Sequence, residues 1–165
     1  MFNLIKTRRS TRKFTSQSVE DKQLYQIIEA GTWAPSGLNN QPWKMAIIKD
    51  SGTRKSLASL THYSSIIKGA PVLIAVFLDA NLSYDHTKDV QAAGACIQNM
   101  LLAIHALGLG GVWLGEILQS KDKVSKVLNA PENLELMAVI ALGHPAEEGV
   151  KKSRKSVEEV VFLKN

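Results

Sequence analysis

A chain of 165 residues with a net charge of +5, 45% hydrophobic and 21% charged residues has the size of one folded unit able to bury roughly 70% of its unfolded surface. That composition excludes a disordered chain. The longest apolar run, Pro71 to Leu78, is far shorter than the roughly 20 residues that cross a bilayer, and the first five residues give way at once to Arg8 and Arg9, so neither a membrane span nor a secretory leader is expected.

Cys96 is the only cysteine, which rules out an intrachain disulfide and fits a reducing, cytoplasmic setting. Its neighbours Ala95, Ile97 and Met100 suggest a buried structural thiol, with no basic group nearby to make it a nucleophile. Much of the positive charge gathers in Arg8, Arg9, Arg12 and Lys13 and in Lys151, Lys152, Arg154 and Lys155. Two small clusters suit one compact anion better than a nucleic-acid track.

In chain order, Ser18 is a candidate N-cap for a helix carrying Leu24, Ile27 and Ile28 on one face and ending near Gly31 to Trp33. Residues 34–43 hold two prolines among turn formers and read as an ordered loop. A strand follows over 44–49, a short helix over 54–60 and a buried strand over 72–78. Residues 89–107 place Ala92, Ala93, Cys96, Met100, Ala103 and Leu107 on a central, closely packed helix. Gly108, Gly110 and Gly111 stop it before a short strand at 112–114. A helix over 120–128, a strand over 134–142 and a short terminal element over 156–163 with Ser156 and Glu159 as a capping pair complete the pattern. The alternation without any repeat indicates one mixed α+β domain spanning 1–165, built in three layers.

Four constellations carry chemistry. Arg8-Arg9-Ser10-Thr11-Arg12 sets three guanidinium forks among two hydroxyls, a donor set suited to phosphate oxygens, although a solvated basic surface would show the same composition. The loop Pro35-Ser36-Gly37-Leu38-Asn39-Asn40-Gln41-Pro42-Trp43 concentrates amides and a hydroxyl between prolines, either to face a heteroaromatic ring or merely to make tight turns. Gly108-Leu109-Gly110-Gly111-Val112-Trp113-Leu114-Gly115-Glu116 allows close backbone approach to a flat ligand, yet has the spacing of neither a dinucleotide fingerprint nor a P-loop. Lys152-Ser153-Arg154 adds late basic charge.

In this order the four constellations resemble the FMN-dependent nitroreductase family over nearly the whole chain, most specifically in the first two. The resemblance implies a three-layer α/β/α fold with a mixed, mainly antiparallel central sheet and an interlocked homodimer with FMN at the subunit interface. It implies that Arg8, Ser10 and Arg12 contact the phosphate and ribityl chain of a tightly, non-covalently bound FMN, with Arg9 as a neighbouring contact. Lys152 and Arg154 would reach the same phosphate. Pro35, Ser36, Gly37 and Asn39 would lie against the isoalloxazine ring, in this family usually donated by the second subunit, and the backbone of Gly115 and Glu116 would face the ring near N5 and O4.

The implied activity is reduction of a small electrophile such as a nitroaromatic or quinone, with NADH or NADPH as electron donor and a ping-pong cycle. Chemistry at flavin N5 requires no catalytic side chain of its own. No metal site is expected, because His86, His105 and His144 keep no ligand spacing with one another or with Cys96. The chain is short, with little room at 60–72 or 79–89 for a cover over the pocket, and His62 and Tyr63 fall either on the substrate side or, as is expected here, at the surface. The competing reading is a flavin-binding or electron-storing protein without significant turnover. Neither nucleic acid nor membrane is expected as a partner.

Overall fold

The computed structural model describes residues 1–150 and 153–165. In chain order the elements are α1 (Phe2–Thr7), α2 (Asp21–Thr32), a 3₁₀ turn (Gly37–Asn39), β1 (Trp43–Ile48), α3 (Ser51–Ala58), α4 (Ser64–Gly69) and β2 (Val72–Asp79). There follow α5 (His86–Ala106), β3 (Gly110–Leu114), a second 3₁₀ turn (Glu116–Ser120), α6 (Lys121–Val127), β4 (Leu134–Gly143) and α7 (Val157–Val160). The sheet runs in the order β1-β2-β4-β3, and every neighbouring pair is antiparallel. The fold is therefore mixed α+β around a four-stranded antiparallel sheet.

β2 is buried along all eight residues, as expected of an inner strand covered on both faces. Successive side chains point to opposite faces, which divides the apolar core in two. Ile74 and Val76, with Ala138 and Ile140 of β4, pack against Leu24 and Ile27 of α2 and Cys96 and Met100 of α5. Leu73, Ala75 and Phe77, with Val139 and Ala141, meet Leu57 of α3, Ile66 and Ile67 of α4 and Val124 of α6. Cys96 is fully buried, and burial pushes its thiol up to about 12, so it is an inert core residue.

Two local expectations need correction. The cap of α2 is Glu20, not Ser18: Val19 is buried at 4% exposure, which pins the chain before the helix. The Glu20 amide then donates to Gln23 Oε1 at 3.3 Å, closing a capping box. The second is α4, which occupies the stretch read as a bare connection. Its six residues are too few to show a helical period, and it is fixed by the burial of Ile66 and Ile67. The Ser156–Glu159 capping pair ahead of α7 is present.

Two features position the loops that matter later. Residues 10–15 are stitched to the sheet: Ser10 bridges Gly111, Thr11 N donates to Gly111 O at 3.0 Å, Thr15 N to His144 O at 2.9 Å, and Ala146 N to Lys13 O at 3.0 Å. Thr11 lies so close to β3 that a Cβ on Gly110 would fall 2.5 Å from its Oγ1.

Asp89, fully buried in the first turn of α5, joins two further loops. It accepts Asn40 Nδ2 at 2.8 Å, Ser83 Oγ at 2.6 Å, Tyr84 N at 3.0 Å and Asp85 N at 3.2 Å. Burial pushes this carboxyl up, but the hydrogen bonds from Ser83, Asn40, Asp85 and Tyr84 outweigh it and hold the group below the usual carboxylate range.

Gly110→Ala is expected to destabilise the fold by about 1–3 kcal/mol through overpacking against the buried Thr11, measured by chemical denaturation. An unchanged midpoint would contradict that close approach. Asp89→Asn should cost roughly 1–3 kcal/mol near neutral pH by leaving buried donors unsatisfied. Because the folded Asp89 titrates below its unfolded value, its contribution is complete above about pH 3.9 and vanishes as pH falls through the folded value. Denaturation curves of the two proteins should therefore converge only in acid, and a constant gap down to the lowest pH would count against it.

Candidate functional site

The arginine segment follows α1, whose last turn hands the chain to Arg8 in extended backbone. The stitching of residues 10–15 then runs this segment beside β3 and the chain leaving β4. That path explains how Arg154 comes back to it. Arg8 titrates below its ordinary value, first because it is partly buried and then because Arg154 and Arg9 repel it. Like charges from distant parts of the sequence are thus close enough to repel one another. Among the described residues, none of Arg8, Arg9 and Arg12 forms an ion pair with a carboxylate.

The three N-terminal arginines are not equivalent. Arg9 Nη1 donates to Lys6 O at 2.7 Å and Arg8 O at 2.8 Å, while its buried Nε has no partner. Arg9 also lines a hollow of about 380 Å³ with Thr7, His105 and Glu147, where His105 Nε2 lies 2.9 Å from Thr7 Oγ1. Among the described residues, Arg12 makes one long contact, 3.4 Å, from Nη1 to Ser10 O. Ser10 sits at the bridge to β3. Lys152 lies outside the described residues.

The proline-bounded loop is rigid for reasons visible in its sequence. Leu38, Asn39 and Gln41 all have positive φ, at 54°, 56° and 47°, conformations that cost non-glycine residues free energy. The compensating bonds are Gln41 N to Ser36 Oγ at 3.0 Å, Asn40 N to Gly37 O at 3.0 Å, and the Asn40 clasp on Asp89. Gly37 allows Tyr84 to lie against the loop, since a Cβ there would fall 2.0 Å from the phenol oxygen. Pro35, Ser36 and Gly37 border a hollow of about 340 Å³ with Tyr84 and Lys88, and Leu38 stands 87% exposed.

Gly115 leaves the end of β3, and Glu116 opens the following 3₁₀ turn. The Glu116 side chain turns toward the connection between α3 and α4. Its Oε2 accepts Thr61 Oγ1 and, at 3.2 Å, the His62 amide, while Oε1 lies 3.7 Å from His62 Nε2.

Within one chain these pieces fall into two groups. Arg8, Arg9, Ser10 and Arg154 gather beside the last turn of α5 and the start of β3, whereas Pro35 to Asn39 sit at the first turns of α5. Asp89 and His105 are 16 residues apart on that helix, about 24 Å along its axis at 1.5 Å per residue. Sequence reasoning missed Asp89, Tyr84 and Thr61. A buried acid at the fourth residue of a helix and a threonine in a short connection carry no spacing signal, because their partners lie dozens of residues away.

Comparison with known proteins identifies the family to which the fold belongs. The model of the Nitroreductase family matches residues 5–62 and 53–144. An NADPH-flavin oxidoreductase of Vibrio harveyi is 32% identical, covering 98% of this chain and 73% of the relative. An FMN reductase [NAD(P)H] of Bacillus subtilis is 28% identical over 92% of this chain and 68% of its own. Among solved structures, a protein from Desulfovibrio desulfuricans described as a nitroreductase in complex with FMN superposes with a TM-score of 0.95 at 46% identity, covering 99% of this chain and 96% of that one. The chain belongs to the nitroreductase family.

Proposed function

We propose that this protein is an FMN-dependent oxidoreductase that takes electrons from NADH or NADPH and passes them, in a ping-pong cycle, to nitroaromatics, quinones or related small electrophiles. Family membership and relatives described as an NADPH-flavin oxidoreductase and an FMN reductase [NAD(P)H] support the cofactor and the donor. The observation that carries the reading is the arginine segment: Ser10 pairs with Gly111 of β3, and among the described residues Arg8, Arg9 and Arg12 have no carboxylate partner, while the positive charge of Arg154 is near enough to repel Arg8. Gathering like charges costs free energy that a bound phosphate offsets. The residues present fit FMN.

In this reading Arg8, Ser10, Arg12 and Arg154 hold the phosphate and ribityl chain, with Lys152 approaching the same group and Arg9 bracing the segment from behind. The amides of Gly115 and Glu116 donate at the ring edge, and Pro35, Ser36, Gly37 and Asn39 cover a ring face. When bound, FMN supplies the redox chemistry at N5. The protein contributes orientation, fixed dipoles and exclusion of water.

The distance along α5 between the arginines and the ring-facing loop favours a homodimer in which a second copy supplies the loop. Trp33, Leu38 and Phe2, exposed at 81%, 87% and 81%, are the apolar surface such a contact would cover. A single three-layer domain over 1–165 and a cytoplasmic setting complete the reading, the latter supported by the lone buried thiol. No helix among the described residues is long and apolar enough to cross a membrane.

Arg8→Ala should weaken FMN binding by roughly 1.5–3 kcal/mol, the worth of a charge-assisted hydrogen bond, when apoprotein is titrated against flavin fluorescence. Unchanged affinity would remove Arg8 from the phosphate site. Sedimentation of the loaded protein should give twice the 18.1 kDa chain mass, and a monomer that binds FMN fully would contradict the shared site.

A further inference from the structure

The Glu116 side chain and the Thr61–His62 connection are given no role in holding the cofactor in the reading above, yet their bonds converge on Glu116, whose amide is assigned there to the ring edge. Glu116 is largely buried, at 22% side-chain exposure, whereas the His62 ring is 88% exposed. The carboxylate is tied on Oε2 by Thr61 Oγ1 and the His62 amide, which leaves Oε1 to face His62 Nε2. Thr61 Oγ1 also accepts the Tyr63 amide at 3.1 Å, so the whole turn is ordered around this acid. His62 and Glu116 line an open hollow of about 280 Å³ with Gln119 and Lys123. Glu116 and Lys123 are the titratable side chains that share it with His62.

Reducing a quinone or nitro oxygen consumes protons as well as electrons, and imidazole is the side chain suited to deliver a proton near neutral pH. Glu116 Oε1 faces His62 Nε2 at 3.7 Å, an arrangement that biases the ring's orientation and leaves Nδ1 as the donor, the logic of an acid-base pair. We propose that His62, positioned by Glu116, is the proton donor to the acceptor. The electrons come from NAD(P)H by way of FMN. The Nδ1–H bond of His62 breaks as the acceptor's O–H bond forms, and solvent returns a proton to the exposed ring. This inference rests on the flavoenzyme reading above.

The test compares two oxidants of the chemically reduced, FMN-loaded protein: a benzoquinone, which takes up protons, and ferricyanide, which takes up only electrons. In His62→Ala the quinone-to-ferricyanide rate ratio should fall at least about tenfold, at the low end of the usual worth of a general acid. Added imidazole should restore it, and the fall of the wild-type quinone rate toward alkaline pH should disappear. Glu116→Gln should lower the same ratio by a smaller factor. In the apoprotein, imidazole ¹⁵N shifts should show Nε2 carrying the proton of the neutral ring in the wild type and lose that bias in Glu116→Ala.

An unchanged ratio in a His62→Ala protein that retains FMN would overturn the proton role and leave the flavoenzyme reading standing. A ring tautomer indifferent to Glu116 would overturn the positioning. Wild-type protein that takes up no FMN would overturn the reading itself, and the proposal with it.

Discussion

The backbone bonds between residues 10–15, β3 and the chain beyond β4 are the constraint on which the rest of the molecule depends. They are ordinary N–H to carbonyl bonds of 2.9–3.0 Å, each worth only about 1 kcal/mol net, but together they fix where Arg8 and Arg12 emerge. The same segment receives the chain leaving β4, through Thr15 to His144 and Ala146 to Lys13. Strand pairing thus holds the arginine segment in place, and in the proposed function the mutual repulsion of its charges is offset by a bound phosphate.

A second constraint acts at the other end of α5. The loop from Pro35 to Trp43 holds three non-glycine residues at positive φ and would relax if it were free. Asp89 prevents this by accepting bonds from the loop through Asn40 and from the 83–85 turn, so the strain is sustained by one buried carboxylate. Rigid placement of the loop and rigid placement of the arginines are therefore separate achievements of the fold, joined by a helix of 21 residues. In the proposed dimer they meet across two copies.

Much of this was legible in the sequence because it rests on local chemistry. Proline and glycine punctuation marked the 34–43 loop, the apolar run 72–78 marked the inner strand, and the Ser156–Glu159 pair marked a helix start. The arginine and basic-tail clusters pointed to a single anion, a reading that enters the proposed function. What escaped depends on contacts between distant residues. Asp89 reads as an ordinary acid in a helix start until Asn40, 49 positions away, is brought to it. Glu116 was singled out for its backbone, while its side chain turns to Thr61 and His62, 55 and 54 residues earlier. Ser18 was a plausible cap by residue type, but burial of Val19 moved the helix start to Glu20.

The surface histidine and the buried core thiol illustrate the same division. Cys96 could be placed from its immediate neighbours alone, since apolar helix positions predict burial and burial disfavours the thiolate. His62 could not, because exposure of its ring is compatible with an idle surface residue or with the proposed donor, and its pairing with Glu116, 54 residues away, carries no signal in the sequence.

The most direct measurement is anaerobic mixing of the FMN-loaded protein with NADH and, separately, with NADPH, following the flavin absorbance in a stopped-flow instrument. An NAD(P)H-dependent flavoenzyme requires rapid loss of that absorbance with at least one of the two nucleotides. Absorbance that stays unchanged with both would show a flavin carrier without turnover and contradict the proposed function.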